Sequence, residues 1–151
     1  LRAKYNQNFI SLIAGEGPEK ENLASLIQEY GLEDNVLLLG GVQNTESLYK
    51  TADLFVLSSD YEGFGMVLVE ALGYGKTIIS TDCESGPREI LGNSKYGYLS
   101  PVDNPERLAE SIYKAYLNKL KPDLLLKRYK DFDISLIGRE YLSLMKRIKL
   151  N

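Results

Sequence analysis

Short apolar runs separated by amphipathic stretches make up most of the chain. Five runs have strand length: FISLIA, NVLLLG, DLFVLS, KTIIST and GYLS, at positions 9–14, 35–40, 53–58, 76–81 and 97–100. They are apolar with little alternation, which is typical of parallel strands that are buried on both faces of a sheet. Helices are predicted between them. Strands that alternate with helices predict an α/β domain with a Rossmann-like, doubly wound parallel sheet.

Local signals mark the later helices. A helix is predicted to start at Met66, and Asn104 followed by Pro105 predicts the start of another. Asp133 is predicted to be the N-cap of the last helix. The segment 117–131, which is basic and broken by Pro122, is predicted to be the nearest thing to a linker. Since ligands of doubly wound folds bind at the carboxyl ends of the strands, the strand-end loops are the candidate sites.

Composition narrows the function classes. The 151 residues are enough for one domain with its own core, and a net charge of −3 leaves no basic surplus for nucleic acid. The chain has no histidine, which excludes Ser–His and Cys–His nucleophiles as well as histidine-ligated metals. Its single cysteine, Cys83, cannot form an internal disulfide and is compatible with a reducing cytosol. Without a histidine or metal partner it is predicted to be a bystander.

Two short motifs are weak evidence for a dinucleotide site and for a metal site. GEGPEK begins as a dinucleotide-binding G-x-G with Gly15 and Gly17, but Lys20 stands where a third glycine belongs. The next predicted strand ends without an acidic residue for a ribose, so NAD binding is disfavoured. The DFD sequence that ends at Asp133 resembles a metal-binding D-x-D, but it directly precedes a helix, and capping is the preferred interpretation. No metal is assigned.

The stretch EGFGMVLVEA is the informative one. Gly63 and Gly65 leave room for a ligand to approach the backbone, and the helix that follows offers free N–H groups to an anion such as a phosphate. Glu62 lies at the mouth of this loop. Glu70 lies in an otherwise apolar helix, where a carboxylate is costly without a partner. A protein cation could be that partner, but the combination of two acids around two glycines favours a ligand.

At these residues the sequence resembles the retaining glycosyltransferases of the GT-B fold, in particular the GT4 family, the glycosyl transferases group 1. LIAGEGP, NVLLLGG and the E-x7-E block EGFGMVLVE are similar to that family's donor-binding loops. The form TDCESGPREIL looks most like bacterial transferases that build polysaccharides or lipid-linked oligosaccharides, often from UDP-N-acetylhexosamines. The resemblance therefore implies a retaining hexosyltransferase that uses a nucleotide-diphosphate sugar, with uracil the base by prevalence among relatives.

The resemblance also implies roles for single residues. Glu62 matches the acid beside the donor sugar and its anomeric carbon, and Glu70 matches the acid that accepts hydrogen bonds from the ribose. The donor sugar and diphosphate would contact the backbone between them, at Gly63, Phe64, Gly65, Met66 and Val67. The base-side and crevice loops would be those of Gly15, Gly17, Gly41 and Val42. This chemistry implies no metal and no cofactor. Retention by same-face attack or through a covalent intermediate on Glu62 stays open.

Measured against the family, residues 1–151 are expected to form part of the C-terminal donor-binding lobe, without that lobe's first strand. The N-terminal acceptor-binding domain would be a partner supplied by the same protein, and the chain alone would be inactive. A glycan or lipid-linked acceptor and a cytoplasmic location at the inner face of the membrane are implied. The basic, apolar segment 117–130 suits either a membrane surface or a solvated connecting helix. A non-catalytic sugar-nucleotide module and a dehydrogenase-type domain remain alternatives.

Overall fold

The computed structural model describes Tyr5 and residues 8–148. The strands in this part of the chain are β1 (Ser11–Ala14), β2 (Val36–Gly40), β3 (Leu54–Leu57), β4 (Thr77–Thr81) and β5 (Tyr98–Ser100). The helices are α1 (Lys20–Glu29), α2 (Glu46–Thr51), α3 (Met66–Gly73), α4 (Pro87–Ile90), α5 (Pro105–Leu117), α6 (Pro122–Tyr129) and α7 (Ile134–Ile148), with a 3₁₀ turn at Lys130–Phe132.

All strand pairs are parallel, which confirms the predicted α/β class. β1 pairs with β2 in one sheet, and β3, β4 and β5 form a second sheet in that order. The chain divides into two compact units, Leu1–Leu48 and Tyr49–Asn151, and each sheet belongs to one unit. The units are therefore described one at a time.

The first unit does not bury its strands as the sequence predicts. All four residues of β1 are exposed, and β2 alternates between half-buried and exposed positions. The prediction of strands buried on both faces is wrong here. In the described part of this unit, one sheet of two strands packs with the helix α1, and these elements do not cover both apolar faces of the strands.

The second unit contains the core. β4 is buried at all five positions, as predicted for a central parallel strand. Leu68, Leu72, Ile78, Ile90 and Leu125 are fully buried and pack in one cluster that joins the sheet to the helices α3, α4 and α6. At about 25 cal/mol per Å² of apolar surface, this cluster is the main stabilising element of the unit.

The segment predicted to be a linker is a core element instead. Its helix α6 starts at Pro122, where the missing N–H costs nothing because the first helical turn has no intrahelical acceptor for it. Leu125 is fully buried in the core. The Leu120 amide donates a 2.9 Å hydrogen bond to the Thr77 hydroxyl, and Lys119 forms an ion pair with Asp53.

Two predicted helix caps are confirmed. The Asn104 side chain accepts the Arg107 amide at 3.0 Å at the start of α5. The Asp133 carboxylate accepts the Ser135 amide at 2.8 Å at the start of α7, so the DFD sequence is engaged in capping. Among the residues the structure describes, no helix combines the length and the apolar character needed to cross a bilayer.

Candidate functional site

The start of α3 is an open helix N-terminus. Gly65 precedes Met66 with φ +87°, a left-handed conformation that favours glycine, and no side chain caps the helix. The Leu68 amide donates to the Gly65 carbonyl at 2.9 Å. The earlier amides of the first turn have no acceptor within the helix, and no acidic residue occupies that turn. The positive end of the helix is thus available to an anion.

The helix α3 has one buried and one exposed face. Leu68, Val69, Ala71 and Leu72 are at most 5% exposed, whereas Met66, Val67 and Glu70 are exposed. The sequence argument took this helix to be apolar and buried on all sides, and that is wrong: Glu70 lies on the exposed face, where a carboxylate costs less. What the structure shows instead is a carboxylate beside exposed apolar side chains, one helical turn beyond the open N-terminus.

Glu70 is held by an uncharged partner. The hydroxyl of Tyr49, the buried tyrosine of α2, donates a 2.9 Å hydrogen bond to Oε2 of Glu70. Burial raises the pKa of Tyr49, and the hydrogen bond to Glu70 raises this pKa further. Tyr49 therefore stays protonated, and remains a donor, well above neutral pH.

Glu62 is held in a similar way. It lies in the loop between β3 and α3 and is half-buried. The Ser59 hydroxyl donates a 2.7 Å hydrogen bond to its Oε1. In the part of the chain that the structure describes, neither Glu62 nor Glu70 forms an ion pair; the ion pairs of this unit involve Asp53, Asp82, Glu110 and Asp131. Both acids thus keep most of their acceptor capacity.

The loop after β4 supports the loop that carries Glu62. Tyr61 and Glu84 form a parallel backbone bridge, and the Thr81 hydroxyl donates to the Ser59 carbonyl. Gly86 has φ +88°, and a Cβ on it would lie 1.9 Å from the Phe64 carbonyl oxygen. Only glycine permits this approach. The backbone of Phe64 is therefore fixed by the loop that carries Gly86.

Two further residues of the loop between β3 and α3, Gly63 and Phe64, have free space around them. A Cβ on Gly63 would meet nothing within 4 Å. The Phe64 ring is 37% exposed and lies edge-on to Phe132, with 6.1 Å between the ring centroids. The second unit thus brings together the residues predicted to contact the donor sugar, the diphosphate and the ribose: Glu62, Gly63, Phe64, Gly65, Met66, Val67 and Glu70.

The first unit brings together the predicted crevice loops. Gly15, Gly17 and Gly40 line a cavity of about 220 Å³ at the carboxyl ends of β1 and β2, together with Glu16 and Lys20. This is below the 300–1,000 Å³ typical of whole-ligand pockets, so it suits one ring-sized group.

Gly41 and Val42 follow β2 directly, and Val42 is half-buried. The Gly41 amide donates a 3.3 Å hydrogen bond to the Glu16 carboxylate. In the loop predicted to lie on the base side, the Gly41 amide is therefore engaged by an acceptor within the first unit.

Cys83 is a free, buried cysteine. It is 5% exposed, and burial raises the pKa of its thiol, with the nearby carboxylate of Glu62 adding to the shift. A buried thiol that resists ionisation is a poor nucleophile. This agrees with its interpretation as a bystander.

Comparison with known proteins decides the family. Residues 1–132 match the family model described as Glycosyl transferases group 1. The chain belongs to this family.

Two relatives illustrate the similarity of this group 1 chain to bacterial proteins. It is 36% identical over 129 residues to the N-acetylgalactosamine-N,N'-diacetylbacillosaminyl-diphospho-undecaprenol 4-alpha-N-acetylgalactosaminyltransferase of Campylobacter jejuni, over 85% of this chain and 34% of that protein. It is 32% identical over 116 residues to the amylovoran biosynthesis glycosyltransferase AmsD of Erwinia amylovora, over 77% of this chain and 31% of that protein. The group 1 chain thus spans about a third of the length of these relatives.

The fold of the group 1 chain is also that of solved glycosyltransferases. The pneumococcal O-GlcNAc transferase GtfA, in a crystal structure with UDP and GlcNAc, superposes with a TM-score of 0.77 at 22% identity. The match covers 94% of this chain and 30% of that one. Together with the parallel sheets described above, this confirms the predicted Rossmann-like architecture of a GT-B glycosyltransferase lobe.

Sequence reasoning on the group 1 motifs missed the residues that support the two acids. Tyr49 and Ser59 contact Glu70 and Glu62, and Gly86 packs on the loop between them. Ser59 stands three residues before Glu62, so the sequence could have indicated a local hydrogen bond between them. Tyr49 is 21 residues from Glu70, and no periodicity links them.

Proposed function

We propose that this chain binds a nucleotide-diphosphate sugar, with UDP as the nucleotide part, and serves as the donor-binding portion of a retaining hexosyltransferase. One observation carries the proposal. Glu62 and Glu70 flank an open helix N-terminus, and each is held by a neutral hydroxyl rather than neutralised by a cation. This combination offers acceptors for sugar hydroxyls on both sides of a site for phosphate.

The assignment of the two acids follows from where they lie. Glu70, one turn into α3, would accept hydrogen bonds from the ribose diol, because an ionised carboxylate has about four lone-pair positions and Tyr49 uses one. Glu62, before the helix, would lie beside the donor sugar. The diphosphate would lie between them, against the backbone of Gly65, Met66 and Val67.

The chemistry proposed for this site needs no metal. Departure of a nucleoside diphosphate leaves an oxocarbenium-like sugar, so the largest task is to stabilise negative charge that develops on the leaving phosphate. A preorganised helix N-terminus without a first-turn acid performs this task. Glu62 would stabilise the positive charge on the sugar, either during same-face attack or as a covalent nucleophile. Both routes retain the configuration of the anomeric carbon.

The names of similar proteins support the substrate class. The C. jejuni relative is named for an undecaprenol-linked acceptor, and GtfA was solved with UDP and GlcNAc. We accordingly propose a UDP-N-acetylhexosamine as donor and a growing glycan or lipid-linked oligosaccharide as acceptor. The acceptor would be bound by an N-terminal domain of the same protein, and residues 1–151 alone would be inactive.

A lipid-linked acceptor would place the enzyme at the cytoplasmic face of a membrane. The segment 117–130 was the sequence candidate for that contact, but Leu125 is buried in the core and Lys119 pairs with Asp53. The exposed lysines of α6 and its flanks, among them Lys121 and Lys127, are left as the basic groups of this segment. We propose that peripheral association with the membrane occurs through these lysines.

Calorimetric titration of the full-length protein with UDP, GDP, ADP and NAD tests the proposal. UDP is expected to bind without added divalent metal, and NAD is expected not to bind. Glu70→Ala is expected to weaken UDP binding, whereas Glu62→Ala slows turnover and leaves UDP affinity near that of the wild type. Binding of NAD without any nucleoside diphosphate would establish the dehydrogenase alternative. Nucleotide binding without turnover on any donor would establish the non-catalytic module.

A further inference from the structure

The Tyr49 hydroxyl is a donor with two acceptors in reach. It lies 2.9 Å from Oε2 of Glu70 and 3.4 Å from the carbonyl oxygen of Val67. A phenol carries one proton, and the shorter contact is to the charged acceptor, which makes the stronger hydrogen bond. The hydroxyl proton is therefore directed at the carboxylate.

The ring of Tyr49 is fixed by its packing. The side chain is 7% exposed and stacks on Tyr74 with 5.1 Å between centroids and 6° between planes. Phe55 packs against it at 5.6 Å in a tilted geometry. Because aromatic contacts on two sides leave the ring one position, the hydroxyl is a fixed point in the second unit. Its raised pKa keeps it a donor across the physiological range.

Glu70 by itself would be mobile. It lies on the exposed face of α3, and a free glutamate side chain loses rotamer entropy when it is ordered. A carboxylate that is already held by a buried hydroxyl loses less of this entropy on binding a ligand. The structure thus has a rigid donor that preorders an exposed acceptor.

We propose that Tyr49 is a positioning residue, which holds the Glu70 carboxylate in the orientation that accepts the hydroxyls of the nucleotide pentose. The inference rests on the proposed function of Glu70 and extends it to a residue that does not contact the ligand. Tyr49 engages one lone pair of Oε2, so the other lone pairs of the two oxygens keep acceptor capacity for a ligand.

The test uses Tyr49→Phe in the full-length protein, since phenylalanine keeps the stacked ring and removes only the hydroxyl. A net hydrogen bond of about 1 kcal/mol corresponds to about a fivefold change in affinity. We expect UDP affinity to fall by about fivefold, the KM for the donor to rise by the same factor, and kcat to change little. Tyr74→Phe is the matched control, because it removes the hydroxyl of the other ring in the stack and leaves the hydrogen bond between Tyr49 and the Glu70 carboxylate in place. Its UDP affinity is expected to equal that of the wild type.

A double-mutant cycle separates positioning from general stabilisation. If Tyr49 acts through Glu70, adding Tyr49→Phe to Glu70→Ala causes no further loss of UDP affinity. An additional fivefold loss in that background, or a fall in kcat that matches a fall in Tm, would assign Tyr49 a structural role and overturn the inference. If Tyr49→Phe binds UDP as tightly as the wild type while Glu70→Ala binds it more weakly, the positioning role of Tyr49 is overturned and the proposed function is not. Wild-type affinity in Glu70→Ala overturns the proposed function as well.

Discussion

The Ser59 hydroxyl lies 2.7 Å from Oε1 of Glu62 and donates a hydrogen bond to it. The backbone of Ser59 is itself held, because its carbonyl accepts the hydroxyl of Thr81 at the end of β4. These two hydrogen bonds connect the buried central strand, through Ser59, to the acid proposed to lie beside the donor sugar. Glu62 is therefore oriented by contacts that lead to the core of the unit.

Ser59→Ala is expected to lower turnover more than donor binding. Removal of the hydroxyl leaves Glu62 free to rotate, at a cost of about 1 kcal/mol in the transition state, which is about a fivefold decrease in kcat. UDP affinity is expected to stay within twofold of the wild type. Steady-state kinetics with a UDP-sugar donor and calorimetry with UDP measure the two quantities.

Ser58→Ala is the control for this experiment, since Ser58 is an exposed neighbour in the same loop. It should keep wild-type kcat. If Ser58→Ala and Ser59→Ala lower kcat equally, the effect belongs to the loop as a whole and not to the Ser59–Glu62 hydrogen bond.

Gly86→Ala is expected to destabilise the second unit strongly. The new Cβ would lie 1.9 Å from the Phe64 carbonyl oxygen, and the residue would have to keep φ near +88°. The backbone must move, which we expect to cost about 3 kcal/mol or more. Urea unfolding of the full-length protein measures this loss.

Gly138→Ala gives the opposite result in the same assay. Gly138 lies within α7, and a Cβ there would meet nothing within 4 Å. Alanine is the better helix former, so a gain of about 0.5–1 kcal/mol is expected. Stability of Gly86→Ala equal to that of the wild type would show that the contact between the two loops is not required.

The order of the strands and the positions of two helix caps could be predicted from sequence, because both depend on local signals. The apolar runs give the strands, and Asn104 and Asp133 cap the helices they were expected to cap. The glycines around Met66 mark an open helix start. Each of these signals lies within a few residues of the feature that it predicts.

Burial could not be predicted in the same way. Glu70 sits in a sequence that is apolar on all sides, yet its face of α3 is exposed, because exposure depends on which elements pack against the helix. β1 is as apolar as β4 in composition but is exposed at every position. The segment around Leu125 is basic and contains a proline, yet its leucine completes the core. These outcomes depend on partners that are distant in sequence.

The Asp133 cap gives a prediction about pH. The hydroxyl and the amide of Ser135 hydrogen-bond the Asp133 carboxylate and hold its pKa below the ordinary value. A lowered pKa in the folded state means that the cap stabilises α7 above the ordinary pKa of an aspartate. This contribution is lost as the pH falls through the lowered value. Ser135→Ala removes the largest cause of the shift.

NMR titration of the Asp133 carboxyl carbon measures this pKa directly. In Ser135→Ala we expect it to rise toward that of an unperturbed aspartate. Ser143→Ala, at an exposed position on the same helix, should leave it unchanged. An Asp133 pKa that is the same in Ser135→Ala as in the wild type would show that the hydroxyl does not contribute.

Arg128 is expected to be the cation that matters most for stability. Its guanidinium donates to the carbonyls of Ile90 at 3.0 Å and Glu89 at 2.7 Å, at the end of α4, and lies 4.7 Å from the centroid of the Phe132 ring. Arg128→Ala would leave those carbonyls without this donor and remove the cation–π contacts with Phe132 and Tyr96 and the ion pair with Asp131, which we expect to cost about 2–4 kcal/mol in urea unfolding.

Arg107→Ala is the matched control for Arg128→Ala, because the Arg107 side chain is 67% exposed and pairs with Glu110 along its own helix. Its loss should cost less than about 0.5 kcal/mol. Because Phe132 also contacts the Phe64 ring, Arg128→Ala is expected to loosen the loop between β3 and α3, which carries Phe64, and to raise the KM for the donor. Equal unfolding free energies for the two variants would mean that Arg128 acts as an ordinary surface charge, and that α6 is held to α4 by apolar packing alone.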